Sequence, residues 1–232
     1  RKINEKMPDH TVELTSNAFK ECNKSIQNSE ILILGVSYKP NVKDIQLSPA
    51  EKIIKKFDAC WVPDVDDVVM NLSGKLGHLK KEPFPIKYIG VLSRMEKKEL
   101  PKTIDVLLLL SGPEPQRSMF EEKLKNVFKR SGKKILLVRG LVEKTQKWGR
   151  FENIEMVNFM QSEELEETIN KSEIIVSRSG YTTIMDLTIL EKKAFLVPTP
   201  GQYEQEYLAK RLKSLGIAPS CKQEKFKLKK LI

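Results

Sequence analysis

Short apolar runs alternate with stretches of helical periodicity along the C-terminal two thirds of the chain. The apolar runs predict strands near residues 104–110, 134–139, 154–158, 173–177 and 194–197. The intervening stretches predict helices near 115–130, 162–171, 181–192 and 203–214. Each strand is short and continuous, and each connection is long enough for a helical crossover. The pattern therefore predicts an α/β fold with a doubly wound, Rossmann-like parallel sheet.

The N-terminal part predicts a smaller, partial α/β unit. Loosely helical spacing after Pro8 predicts a helix over residues 9–23, and an apolar run predicts a strand at 30–36. A second helix is expected from Ser48, which is a good N-cap, with proline next at the first helical position. Residues 58–64 then predict a strand followed by a turn.

Composition narrows the class of protein. The chain has 232 residues, of which 40% are hydrophobic, so it can bury the core of one or two domains. It contains no run of 18 apolar residues, and its basic start is not followed by the apolar core of a signal peptide. These features predict a cytoplasmic protein. His10 and His78 are isolated from one another, so no metal site is predicted.

The formal charge of +10 raises the question of an anionic partner. Pairs of lysines are scattered and lack the interleaved aromatics of single-strand binding, so no nucleic acid partner is predicted. Residues 222–230 are basic with apolar spacing, which is compatible with contact at the inner face of a membrane. A solvated terminal helix explains the same pattern.

Two strand-to-helix turns carry the candidate chemistry. The strand at 173–177 runs into Ser179, Gly180 and Thr182 at the start of a helix, where free backbone N–H groups favour a phosphate. The strand at 194–197 ends in a Pro/Gly turn before Gln202, Glu204 and Gln205. Both turns follow strands of one parallel sheet, so we expect them to line one crevice at its carboxyl edge.

Two further positions follow neighbouring strands. Gly112 permits close approach of the backbone to a ligand, and Arg117 could donate two hydrogen bonds to a phosphate. An ordinary strand-to-helix turn is the alternative there. Phe159 and Met160 end another strand, where they either face a ligand or pack in the core.

Residues 58–232 resemble the C-terminal, donor-binding domain of glycosyltransferase family 28, whose best-known member is the N-acetylglucosaminyltransferase that makes lipid II. The resemblance is carried by the turn at 177–187 and the turn at 198–205. It implies a UDP-sugar donor, whose diphosphate would contact Gly112, Arg117, Ser179, Gly180 and Thr182. It also implies uracil at Phe159 and Met160, ribose at Asp186 (the family commonly has glutamate), and sugar at Gln202, Glu204 and Gln205.

Residues 1–57 resemble the start of the C-terminal domain of UDP-glucose/GDP-mannose dehydrogenases, through residues 31–45 and 48–50. Lys39 matches a lysine that contacts the nucleotide sugar in that family. Gln46 and Leu47 stand where arginine and glutamate are usual, and the catalytic cysteine motif belongs to a domain outside this chain. Dehydrogenase activity is therefore not expected from these residues.

The two resemblances together imply a hybrid of three parts: 1–57, dehydrogenase-like; 58–100, the end of a transferase N-terminal domain and its linker; and 101–232, the donor-binding domain. The leading interpretation is the UDP-sugar-binding half of an inverting, metal-independent glycosyltransferase that needs no cofactor. Its catalytic residues are unknown, because the acceptor half would come from a separate chain. The alternatives are a nucleotide-sugar dehydrogenase fragment and a fused or misassembled product with no activity.

Overall fold

The structure is a computed structural model that describes residues 2–25, 27, 59–78 and 85–231. Its helices of more than one turn are α1 (Lys2–Glu21), α2 (Gln116–Phe128), α3 (Ser162–Asn170), α4 (Tyr181–Ile189) and α5 (Tyr203–Ser214). Its strands are β1 (Cys60–Val62), β2 (Ile86–Tyr88), β3 (Ile104–Leu109), β4 (Ile135–Val138), β5 (Trp148–Phe151), β6 (Ile154–Val157), β7 (Ser172–Ser177) and β8 (Lys193–Leu196).

Within the described residues, six strands form one sheet in the order β5-β6-β4-β3-β7-β8. All neighbouring pairs are parallel except β5 and β6, which are antiparallel. The Cα partners across the five parallel strands include Val157, Val138, Leu109, Ser177 and Leu196. These residues lie at the carboxyl ends of their strands, so the loops that follow emerge along one edge.

The sheet is buried on both faces. Leu108 of β3 packs on one face with Phe120 and Phe128 of α2, whereas Leu107 packs on the other with Ile169 of α3. Successive side chains of a strand point to opposite faces, so a strand covered on both sides needs an unbroken apolar run. This explains why β3 could be predicted from Val106 to Leu110 without any alternation of polar residues.

The predicted α/β class and parallel sheet are confirmed, and the five predicted C-terminal strands lie within a residue or two of their predicted bounds. The first helix begins at Lys2 and continues through Pro8, so the start predicted after this proline was wrong. The predicted strand at 30–36 and the helix from Ser48 lie outside the described residues.

Strand β5 was not predicted. Its residues, Trp148 to Phe151, are mostly exposed and form no apolar run. Its pairing with β6 instead rests on backbone hydrogen bonds, with Trp148 opposite Val157 and Phe151 opposite Ile154. A hydrophobic pattern cannot reveal a strand that buries little apolar surface.

The segment between the N-terminal helix and the main sheet contains a separate parallel pair, β1 and β2. The buried carboxylate of Asp64 organises the loop after β1 by accepting bonds from the backbone N–H groups of Val65, Leu72 and Ser73. Burial acts to raise the pKa of Asp64, but these bonds and one from the Ser73 hydroxyl hold that pKa below its ordinary value. The Tyr181 hydroxyl at the start of α4 donates to the Pro63 carbonyl at 2.8 Å, which joins this segment to the main domain.

The basic C-terminal segment does not form the helix that one interpretation expected. It contains two short 3-10 turns, Gln223–Lys225 and Leu228–Lys230. Phe226 between them is 1% exposed and lies against Phe120, Phe128 and Phe195. The largest apolar side chain of this segment therefore belongs to the core.

Candidate functional site

The turn after β7 has the backbone geometry predicted for it. Gly180 is the N-cap of α4, with φ −68° and ψ 143°, and the first bond of the helix runs from the Ile184 N–H to the Gly180 carbonyl at 3.0 Å. No side chain among the described residues caps this end, and the Thr182 side chain is exposed. The first N–H groups of α4 therefore have no intrahelical partner, and the helix dipole adds partial positive charge there.

The turn after β8 is fastened to the turn after β7 through Gln205. The buried Ser179 hydroxyl donates to the Gln205 backbone carbonyl at 2.8 Å. The Thr199 N–H donates to the side-chain oxygen of Gln205 at 2.9 Å. The predicted phosphate turn and the predicted sugar-binding residues are thus held side by side. Ser179 and Gln205 both act as supports in this arrangement, which their sequence positions did not reveal.

The remaining two residues predicted for the sugar lie at the start of α5. Gln202 is half-buried at the N-cap, and its N–H donates to the Thr199 carbonyl at 3.1 Å. Glu204 is exposed in the first turn of the helix. Both lie beside the turn after β8, at the same edge as the phosphate turn.

Gly112 brings a third loop to this edge. Its φ of +102° is a conformation that side chains other than glycine rarely adopt. A Cβ at this position would lie 3.6 Å from the hydroxyl oxygen of Thr199, so the loop after β3 adjoins the turn after β8. The loops after β3, β7 and β8 therefore meet.

Arg117 does not have the free guanidinium that a phosphate contact requires. Its side chain is 6% exposed, and it donates to Glu114 at 2.6 Å, to Glu121 at 2.8 Å and to the Arg139 carbonyl at 3.2 Å. A further bond runs to the Ser118 hydroxyl at 2.7 Å. Two carboxylates neutralise this cation within the fold, so the geometry argues against the predicted phosphate contact.

Glu121 is the centre of that network. Its carboxylate is 4% exposed and lies 2.8 Å from Arg117, 3.0 Å from Arg139 and 3.2 Å from Lys125. Burial acts to raise the pKa of Glu121, but hydrogen bonds from Arg117 and Arg139 outweigh burial and hold the pKa below its ordinary value. The network joins α2 to the segment after β4.

Phe159 and Met160 line an open groove of about 800 Å³, which Arg94, Lys144 and Gln146 also line. Both predicted residues are half-buried. The Phe159 carbonyl accepts a bond from the Gln146 side chain at 3.0 Å, so part of the backbone expected to read a base edge is already occupied. The groove follows β6 at the same carboxyl edge as the other loops.

Asp186 lies in the second turn of α4, where it accepts a bond from the Ser93 hydroxyl at 2.6 Å through one carboxylate oxygen. Ser93 immediately precedes Arg94 of the groove. The ribose role predicted for Asp186 stays a prediction. Lys39, the position taken from the dehydrogenase resemblance, lies outside the described residues.

Two residues that sequence reasoning did not single out are buried at the meeting point of the loops. Arg178 and Thr199 are each 1% exposed. Within the described residues, Arg178 Nε and Thr199 Oγ1 are buried without a hydrogen-bond partner. Such atoms are uncommon in folded proteins and call for an explanation. A signal was available for Arg178, because a charged residue directly follows a buried apolar strand.

Within the described residues, no group of three or more His, Cys, Asp and Glu side chains could hold a metal ion. None of the helices in the same ranges has the length and apolar character needed to cross a membrane.

The chain matches the family described as "Glycosyltransferase family 28 C-terminal domain" over residues 113–232. No curated protein matches the chain. Among solved structures, the glycotransferase of kitacinnamycin is similar with a TM-score of 0.55 and 16% identity, over 80% of this chain and 47% of that one. The glycosyltransferase SnogD from Streptomyces nogalater has a TM-score of 0.45 and 11% identity, over 66% of this chain and 48% of that one.

The chain thus spans about half the length of these solved structures. The first similarity indicates a shared fold, which agrees with the sheet described above. None of these findings supports the dehydrogenase-like interpretation of residues 1–57.

Proposed function

Because the chain belongs to glycosyltransferase family 28 through the C-terminal domain of that family, we propose that it binds a UDP-sugar donor at the carboxyl edge of its sheet. The observation that carries this proposal is the meeting of three loops, after β3, β7 and β8, around an uncapped helix N-terminus. A helix N-terminus favours a phosphate through its free N–H groups and its dipole.

We propose that each part of the donor lies at a different group of residues along this edge. The diphosphate lies against Gly112, Gly180 and the first turn of α4, without a direct contact from Arg117. The uracil extends toward the groove of Phe159 and Met160, and the ribose toward the Asp186 carboxylate oxygen that Ser93 does not contact. The sugar lies at Gln202, Glu204 and Gln205.

We further propose, from the family resemblance, that transfer is inverting. We also propose that it is independent of a metal ion, because backbone N–H groups can hold the phosphates. The acceptor site and the catalytic base would come from an acceptor-binding half, supplied by another part of a longer protein or by a partner chain. Any membrane contact of the C-terminal segment would rest mainly on its lysines, because Phe226 is buried. We propose a cytoplasmic location for the protein.

Calorimetric titration with UDP tests the proposal. We expect UDP to bind, NAD not to bind, and EDTA to leave the UDP affinity unchanged. A thermal scan should agree, because ligand at 100 times its dissociation constant stabilises the folded state by about 2.7 kcal/mol. Binding of NAD without UDP would overturn the proposal, and loss of UDP binding in EDTA would overturn its metal-independent part.

A second measurement tests the placement of the sugar. We expect Gln205→Ala to weaken UDP-N-acetylglucosamine or UDP-glucose by about 1 kcal/mol more than it weakens UDP, because one hydrogen bond to the sugar is lost. UDP itself should weaken slightly, because the bond from the Thr199 N–H is lost as well. Lys210→Ala, at an exposed position further along α5, is the control. Equal losses of affinity for UDP and for both UDP-sugars would show that the sugar does not lie at this position.

A further inference from the structure

Arg178 is a buried cation without a carboxylate partner in the part of the chain that the structure describes. It is 1% exposed, and its guanidinium lies 4.3 Å from the centre of the Phe120 ring. Burying a charge is costly unless paired or hydrogen-bonded groups compensate. Burial lowers the pKa of Arg178 to about 10, so the side chain remains charged at neutral pH. Because burying this guanidinium is costly, we expect Arg178 to have a role that an apolar residue could not fill.

The hydrogen bonds of Arg178 join segments that are remote in sequence. One terminal nitrogen donates to the carbonyls of Val197 and Pro198, both at 3.2 Å, in the turn after β8. The other donates to the Gln116 carbonyl at 3.0 Å, at the start of α2, and to the Gln223 side chain at 2.8 Å. One side chain therefore connects the loop after β3, the turn after β8 and the C-terminal segment.

The C-terminal segment provides a fixed anchor for this connection. Phe226 packs among three phenylalanines of the core, and the Cys221 N–H donates to the Leu196 carbonyl of β8 at 3.2 Å. Gln223 lies between these two attachments and is 6% exposed. Its amide oxygen therefore holds the guanidinium from a rigid part of the fold.

We propose that Arg178 is a positioning residue, which holds the loops after β3 and β8 in the one arrangement that receives the donor diphosphate. We call the hydrogen bonds from Arg178 to Gln116, Val197, Pro198 and Gln223 the clamp. The inference rests on the proposed function for the identity of the ligand, but the clamp is present in the free protein. Arginine suits this position because its planar fork presents several donors in fixed directions, whereas lysine presents a single ammonium group.

One loop that Arg178 holds carries Gly112, which we place against the diphosphate, and the other carries Thr199, which adjoins Gly112. Gly112 precedes Gln116 in the first loop, and Thr199 follows Pro198 in the second. The positive charge also lies directly before Ser179 and Gly180 in the chain. Loosening the clamp should therefore weaken a phosphorylated ligand more than its unphosphorylated counterpart.

The test compares Arg178→Lys with the unsubstituted protein in two measurements. In amide hydrogen exchange without ligand, we expect exchange over residues 112–117 and 198–202 to rise about tenfold while the central strands keep their protection. In calorimetry, we expect UDP affinity to fall about tenfold and uridine affinity to change less than about twofold. Arg150→Lys, at an exposed position of β5, is the control and should change neither measurement.

The outcomes separate the clamp from the proposed function. If the unsubstituted protein fails to bind UDP, the proposed function fails, and the exchange measurement still decides whether the clamp exists. Unchanged exchange in both loops overturns the inference, and so do equal losses of UDP and uridine affinity, which would indicate a merely structural role. If Arg178→Lys does not fold, Gln223→Met takes its place: exchange in the same loops should rise about threefold, and no rise overturns the inference.

Discussion

Gly180→Val should reduce the affinity for UDP by at least about 100-fold, or ~2.7 kcal/mol, while leaving the protein folded. The backbone at Gly180 is extended, with φ −68°, and the nearest atom to an added Cβ is the Thr183 hydroxyl oxygen at 4.0 Å. The fold of the free protein therefore does not require glycine there. Its absence of a side chain matters only if a ligand approaches the start of α4. Titration calorimetry with UDP measures the loss.

The stability of the same variant decides between a ligand contact and damage to the fold. We expect the free energy of unfolding to change by no more than about 1 kcal/mol, because valine is a poorer N-cap than glycine but reduces the freedom of the unfolded chain. Gly149→Val is the matched control, since an added Cβ there meets only the Met156 methyl carbon at 3.9 Å. If Gly180→Val binds UDP as well as the control does, the diphosphate does not lie against this turn.

Glu121→Gln should lower the free energy of unfolding at pH 7 by about 3 kcal/mol, because it removes the shared counter-charge of a buried network. Arg117 and Arg139 would each lose an ionic hydrogen-bond partner at 2.8 and 3.0 Å. Glu122→Gln is the control on the same helix. Glu122 is 66% exposed and, within the described residues, pairs only with Lys125, so its loss should cost less than about 1 kcal/mol. Urea unfolding measures both variants.

The pH dependence of that difference follows from the direction of the Glu121 pKa. The folded state holds this pKa below its ordinary value, so the unfolded state takes up the proton first as the pH falls. The stabilisation is therefore complete above about pH 5, beyond the unfolded pKa of about 4.3, and is lost as the pH falls through the folded pKa. A gap between the two proteins that stays constant from pH 7 to pH 3 would contradict this assignment.

The sequence was sufficient for the five parallel strands of the main sheet, because most of their residues are buried and each strand therefore appears as an apolar run. It was insufficient for β5, which buries little, and for the first helix, which continues through Pro8. The sequence also predicted that the turns after β7 and β8 would meet, because the carboxyl ends of parallel strands share one edge. The hydrogen bonds that join these turns use the backbone carbonyl and the side-chain oxygen of Gln205. They depend on the three-dimensional positions of both turns, which a local sequence pattern does not specify.

Arg117 shows where a charge alone misleads. Its position at the head of a helix suggested a phosphate contact, but Glu121 lies four residues after it, a spacing at which helical side chains meet. Glu114, just before the helix, supplies a second carboxylate. The spacing of Arg117 and Glu121 was visible in the sequence and favoured an internal ion pair. Arg178 shows the converse, because its partners are mainly backbone carbonyls, which residue types cannot reveal.

The two outer strands of the main sheet bear on whether copies of the protein would adhere to one another. An unpaired strand edge is a template for pairing with another chain, and proteins reduce this hazard by keeping such strands short, charged or covered. β5 is four residues long and includes a glycine and the charged Arg150. At the opposite side, Leu196 of β8 is already bridged to Ser220. Among the described residues, neither margin offers a long, flat, apolar ladder, so edge-to-edge association of the sheets is disfavoured.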